Sequence, residues 1–173
     1  YLPFLDIIRS YYNLKEGDSE SVIRDKIKNQ TERLDEKLET VISPFCELLS
    51  VRSEDDAFIN LEPSIKREKT FEALRDLFIR ESQNQPIVLV IEDLHWMDTT
   101  SQEFLDFFID GLTHTKIVLL LLYRPEYTHQ WGSKSTYTKI GLDQLGPEPS
   151  LELIKAMLEE GDVEPELRDL IVS

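Results

Sequence analysis

Cysteine is nearly absent: Cys46 is the only one in 173 residues. No internal disulfide can form, a structural metal site built on thiolates is excluded, and a free thiol fits a reducing, cytoplasmic setting. Beside Phe45 and Leu48, Cys46 itself reads as a small buried hydrophobe. Basic residues are also scarce. The 19 Lys and Arg stand against 34 Asp and Glu, a net charge of −15. Such a surface repels a nucleic-acid backbone and an anionic membrane alike, so neither is an expected partner. Glycine (6) and proline (8) are few, which points to regular structure joined by compact turns. No apolar run approaches the roughly 20 residues of a membrane-spanning helix; the longest is Ile117 to Tyr123. The opening Tyr1-Leu2-Pro3-Phe4 lacks an initiator Met, a basic region and a small-residue cleavage site. It is therefore not read as a signal peptide, and the chain is expected to be cut from a longer protein.

What is present reads as α/β with a helical first half. Leu5, Ile8 and Tyr12 share a helix face by spacings of three and four. Ser19 is placed to cap a second helix carrying Val22, Ile23, Ile27, Leu34 and Leu38. A third long helix is expected after Pro63, with Ser64 as its cap and Phe71, Leu74, Leu77 and Phe78 as its buried stripe. The period then changes. Ile87-Val88-Leu89-Val90-Ile91 is an unbroken, largely β-branched run, which predicts a strand covered on both faces. A helix from about Thr99 to Leu112 follows, with Thr99 and Gln102 at capping-box spacing. A second buried strand, Ile117 to Tyr123, completes a βαβ unit with a parallel pair. Tyr137-Thr138-Lys139-Ile140 is a further short strand candidate. Past two prolines, Ser150 is expected to cap a helix with Leu151, Ile154, Met157 and Leu158 inward, and Pro165 to open another. The expected organisation is a core over 1–146, helical over 1–82 and stranded over 83–146, followed by a helical region over 147–173.

Ligand sites of doubly wound sheets lie at the carboxyl ends of the strands. Glu92-Asp93-Leu94-His95-Trp96-Met97-Asp98 occupies that position after the first strand, and Arg124-Pro125-Glu126 after the second. Apolar residues followed by paired acids form the Walker B pattern. One carboxylate holds Mg²⁺ or its water shell, and another orients or deprotonates an attacking water. A cation at the neighbouring strand tip can sense a terminal phosphate and stabilise its developing charge. Glu92, His95 and Asp98 also have spacing that could hold a divalent metal, a more distant reading. Trp96 is expected to pack on Phe104, and His114 and His129 to lie in surface loops without partners.

The string Pro86 to Ser101, with Tyr123-Arg124-Pro125-Glu126 and Trp131, resembles the AAA-type ATPase region beside class III adenylate/guanylate cyclase domains, within the signal-transduction ATPases with numerous domains. The resemblance implies a partial P-loop NTPase three-layer fold whose lid begins after Leu142-Asp143-Gln144-Leu145. It implies Walker B roles for Glu92 and Asp93, which would hold Mg, and a sensor role for Arg124 toward ATP. It further implies that the parent protein uses nucleotide binding and slow hydrolysis to control attached output or sensor domains, such as a nucleotide cyclase. Two departures stand out. Glu92 precedes Asp93, where other AAA proteins more usually have Asp then Glu. No G-x-x-x-x-G-K-[ST] loop occurs, since Gly132-Ser133-Lys134-Ser135 has the wrong order and no upstream glycine. The loop is expected to precede the residue at which this chain starts, leaving the chain alone a poor ATP binder and inactive. The sheet is expected to lack neighbouring strands, with an open edge available for self-association. The alternative is a non-catalytic module whose acidic helical half docks a partner.

Overall fold

The computed structural model describes residues 2–143 and 145–157. Five helices precede the first strand: α1 (Leu2–Tyr11), α2 (Glu20–Leu34), α3 (Ile42–Leu48), α4 (Asp56–Ile59) and α5 (Pro63–Asn84). Then come β1 (Ile87–Ile91), α6 (Thr99–Asp110), β2 (Ile117–Leu121) and α7 (Pro147–Met157). Two compact units divide the chain, Tyr1–Trp131 and Gly132–Ser173. The second contains α7 and, before it, irregular backbone where the Tyr137–Ile140 strand was expected.

Local chemistry accounts for most helix starts. Ser19 accepts from the Val22 amide at 3.4 Å, and Asp55 accepts from Ala57 and Phe58 at 2.9 and 3.2 Å. Each satisfies amides that the first helical turn leaves without a partner. Three caps fall elsewhere than expected. α5 starts on Pro63 with Glu62 before it, so Ser64 lies inside the first turn; proline suits that position because its missing N–H would be unpaired anyway. α6 is capped by Asp98 rather than Thr99. α7 begins at Pro147 and takes in Ser150, whose amide bonds the Gly146 carbonyl at 3.0 Å. Ile154 is half-buried but Met157 is exposed, against the inward placement expected for both. The expectations for Leu151, Leu158 and the helix after Pro165 fall outside the described side chains or residues.

The core lies among the helices of the first unit. Phe4 and Ile8 of α1 and Tyr12 just after it are buried with Ile27 of α2, Phe45 and Cys46 of α3, Leu74 and Leu77 of α5, and Phe104 and Phe108 of α6. Phe4 meets Phe104 edge-on at 4.5 Å, and Phe78 meets Phe108 at 5.5 Å. Such pairs add about 0.5–1.5 kcal/mol beyond the area they bury. Two phenols tie the end of α1 and the residue after it to distant helices: Tyr12 Oη pairs with Thr31 Oγ1 at 2.9 Å, and Tyr11 Oη donates to the Glu81 carboxylate, 70 residues away. Burial pushes both phenols above their ordinary range, and Glu81 adds to the effect at Tyr11.

β1 and β2 pair in parallel, in register from Ile87↔Ile117 to Ile91↔Leu121, with α6 as the crossover. This is the expected βαβ unit. The expectation of two covered faces does not hold. Leu89 and Ile91 are buried on the side of α5, which packs against both strands. The opposite face exposes Val88 by 59%, Val90 by 51%, Val118 by 53% and Leu120 by 46%. Successive side chains of a strand point to opposite faces, so one helix layer covers only alternate residues. The second strand is also shorter than expected, ending at Leu121.

Candidate functional site

A parallel pair places both carboxyl ends at the same sheet edge. The backbone beyond the strands stays paired there: the Leu122 amide bonds the Ile91 carbonyl at 2.9 Å, and the Leu94 amide bonds the Leu122 carbonyl at 3.2 Å. Glu92 and Asp93 therefore lie beside the strand end from which Tyr123 and Arg124 emerge. All three charged residues are exposed. Among the described residues no ion pair or side-chain hydrogen bond joins Arg124 to Glu92, Asp93 or Glu126. The expected neighbourhood of strand tips is present, without direct contact between the charges.

Asp93 turns the chain. Its φ of 53° and ψ of 41° are left-handed, a conformation that Asp tolerates better than most side chains. The short 3₁₀ turn Leu94–Trp96 follows and buries Leu94. His95 is mostly buried and neither ring nitrogen has a hydrogen-bond partner among the described residues. Its Nε2 lies 3.8 Å from Asp93 Oδ1, beyond hydrogen-bond range but close enough for attraction once the ring is charged. Trp96 does not pack on Phe104. It is 76% exposed, and its ring lies 5.3 Å from that of His95.

Asp98 has a structural task. Its Oδ1 accepts from the Ser101 amide at 2.9 Å and its Oδ2 from the Ser101 hydroxyl at 2.6 Å. Desolvation pushes its carboxyl up, but hydrogen bonds, those with Ser101 first among them, outweigh this and hold it below the ordinary carboxylate range. The Glu92, His95 and Asp98 metal triad is thus overturned: Asp98 is spent on its cap, and no group of three metal-ligating side chains forms among the described residues. Glu92 and Asp93 remain two adjacent exposed carboxylates. As hard oxygen donors they fit Mg²⁺, which takes one or two carboxylates and completes its shell with water and phosphate oxygens.

The segment after β2 holds contacts that the sequence reading missed. Trp131 is buried, and its indole Nε1 donates to Asp106 Oδ1 on α6 at 2.7 Å. Tyr127 Oη donates to Gln102 Oε1, one turn earlier on the same helix. His129, expected to be a surface residue without a partner, accepts the Trp131 amide on Nδ1 at 3.2 Å and faces Tyr123 Oη with Nε2 at 3.0 Å. The alternation Tyr123, Tyr127, His129, Trp131 in a polar loop was the available signal. Cys46 is buried as expected, and burial pushes its thiol up. A cavity of about 400 Å³ lies away from the strand tips, lined by Glu47, Leu48, Lys66, Arg67, Thr70 and Thr100 among others. Its cations are engaged, Lys66 with Glu47 and Arg67 with Glu103. Among the described residues no helix is long and apolar enough to cross a membrane.

No family model matches the chain, and no solved structure matches it. An uncharacterized protein of Rhizobium meliloti (strain 1021) is 29% identical over 97 residues, 56% of this chain and 9% of that protein. The chain thus spans a small fraction of the length of the curated relative it matches. What is established is a mixed α/β chain with a two-stranded parallel sheet, similar over part of its length to a far longer protein.

Proposed function

We propose that the chain carries the Walker B and sensor elements of a nucleotide-dependent signalling ATPase of the AAA type, whose parent protein regulates an attached output domain such as a nucleotide cyclase. The observation that carries this reading is the shared strand-tip edge: Glu92 and Asp93 end one parallel strand, and the chain leads to Arg124 from the end of its neighbour. In that role the two carboxylates would hold Mg²⁺ of an Mg-ATP complex, and the metal would neutralise phosphate charge. Glu92 or Asp93 would orient the attacking water, and the Arg124 guanidinium would meet the terminal phosphate. The reading requires a phosphate-cradling loop that the 173 residues do not contain, so the chain alone binds ATP weakly and turns over none.

Titration of Mg-ATP followed by ³¹P NMR tests it. The expected result is a dissociation constant on the order of 1 mM or weaker, lost on omitting Mg²⁺ and weakened by both Glu92→Ala and Arg124→Ala. Binding that neither substitution weakens overturns the assignment. A second reading, a non-catalytic docking module, is favoured by the exposed Val88, Val90, Val118 and Leu120 face. Contiguous exposed apolar side chains mark contact surfaces more often than solvent-facing ones. Loss of all Mg-ATP binding with retention of self-association in solution would favour it.

A further inference from the structure

The 124–131 segment has no regular secondary structure until the 3₁₀ turn that begins at Trp131. It is nevertheless fixed to α6 at two points, Gln102 and Asp106, which lie one turn apart on the same helix face. His129 sits between these anchors. Its ring stacks on the Trp131 indole at 4.8 Å and 15°, and stands edge-on to Tyr123 at 5.2 Å and 72°. Donor and acceptor roles around that ring are determined by one contact. The Trp131 amide is a donor only, so the Nδ1 it points at must be bare. In the neutral ring the proton is then on Nε2, which donates to Tyr123 Oη, the residue immediately before Arg124.

We infer that His129 is a proton-operated catch on the segment that carries Arg124: neutral, it ties Tyr123 to Trp131, and charged, it releases Trp131. Protonation places hydrogen on Nδ1, where it confronts the Trp131 N–H. The bond is lost and replaced by a repulsion between two donors. The Trp131 amide N–H points at the ring, and the Asp106 carboxylate of α6 accepts from the Trp131 indole stacked on it. Beside it lie the Tyr123 and Tyr127 rings and the uncharged Gln102 on α6, while Arg124 and Glu126 on the segment itself bring opposite charges. Histidine is the side chain whose ordinary charge change falls between about pH 5 and 8. Release frees the backbone on the Trp131 side of the Tyr127 turn, whose amide bonds the Arg124 carbonyl at 3.0 Å. None of this depends on the nucleotide reading. If Arg124 does meet phosphate, the catch also governs how firmly the guanidinium is held.

The test follows ring ionisation and amide protection together by NMR, on the same 173-residue chain, from about pH 8 to about pH 5. Three results are expected: an Nε2–H tautomer at the upper end, loss of Trp131 amide protection by about tenfold as the ring charges, and parallel movement of the two curves. His129→Asn puts an amide oxygen where Nδ1 stood and cannot titrate, so its Trp131 protection should be retained and independent of pH. His129→Phe keeps the stacked ring without the acceptor and should be unprotected throughout; if it misfolds, His129→Asn and the unsubstituted chain still decide. An Nδ1–H tautomer overturns the inference. So does a ring that stays neutral down to about pH 5, protection that survives ring protonation, or a pH-dependent loss that persists in His129→Asn.

Discussion

The two faces of the β1–β2 sheet have the same residue chemistry and opposite fates. On one, Leu89 and Ile91 are buried against the helices; on the other, Val88, Val90, Val118 and Leu120 stand in the open. An unbroken apolar run therefore records what a strand is compatible with rather than what covers it. In an alternating strand the polar residues announce the open side, and here nothing in the sequence does.

Substitutions can break this comparison. Ile91→Ala removes a buried side chain behind which the α5 layer cannot fully collapse, and should cost about 2–5 kcal/mol in a denaturant melt. Asp98→Ala, which leaves α6 without its cap, should cost about 1 kcal/mol by the same measurement. Its pH dependence sharpens the point. The folded chain holds the Asp98 carboxyl below its ordinary value, so the folded state takes up that proton less readily than the unfolded one. The contribution is complete above about pH 4 and is lost as pH falls through the lower folded value. Asp98→Asn keeps an acceptor for the Ser101 amide but has no such titration, so its stability should decline less on acidification. On the open face, Val90→Thr and Val118→Thr preserve shape and should each change stability by less than about 0.5 kcal/mol. A cost near that of Ile91→Ala would mean that the face is covered in solution, and the contrast between the faces would disappear. Trp96→Ala, at a ring that is 76% exposed, should be the most silent of all.

Legibility followed the range of the interaction. The α5 stripe of Leu74, Leu77 and Phe78, the Ser19 cap, the buried Cys46 and the parallel βαβ unit were readable because a few neighbouring residues encode each of them. Caps slipped by one to four residues where candidates competed. Asp98 prevailed over Thr99 because its carboxylate accepts from both the Ser101 amide and hydroxyl, and Pro63 set the start of α5 through its fixed φ. Of the site, the placement of Glu92, Asp93 and Arg124 at one sheet edge was legible, since strand order and parallel pairing dictate it. The Tyr127 and Trp131 contacts were not, because they join an irregular loop to Gln102 and Asp106 of α6, and no spacing in the sequence relates the two. The same holds for Trp96, whose expected partner Phe104 is instead occupied by Phe4 and Phe108.

The tie between Tyr11 and Glu81 bears on how the molecule is made. A ribosome delivers α1 before α5, and the acceptor of Tyr11 is synthesised 70 residues after it. Until then, of these two ties only that of Tyr12 to Thr31 can form. Completion of this helical region is therefore vectorially delayed, and a pause in translation before α5 emerges would prolong the interval in which a holdase chaperone has something to grip.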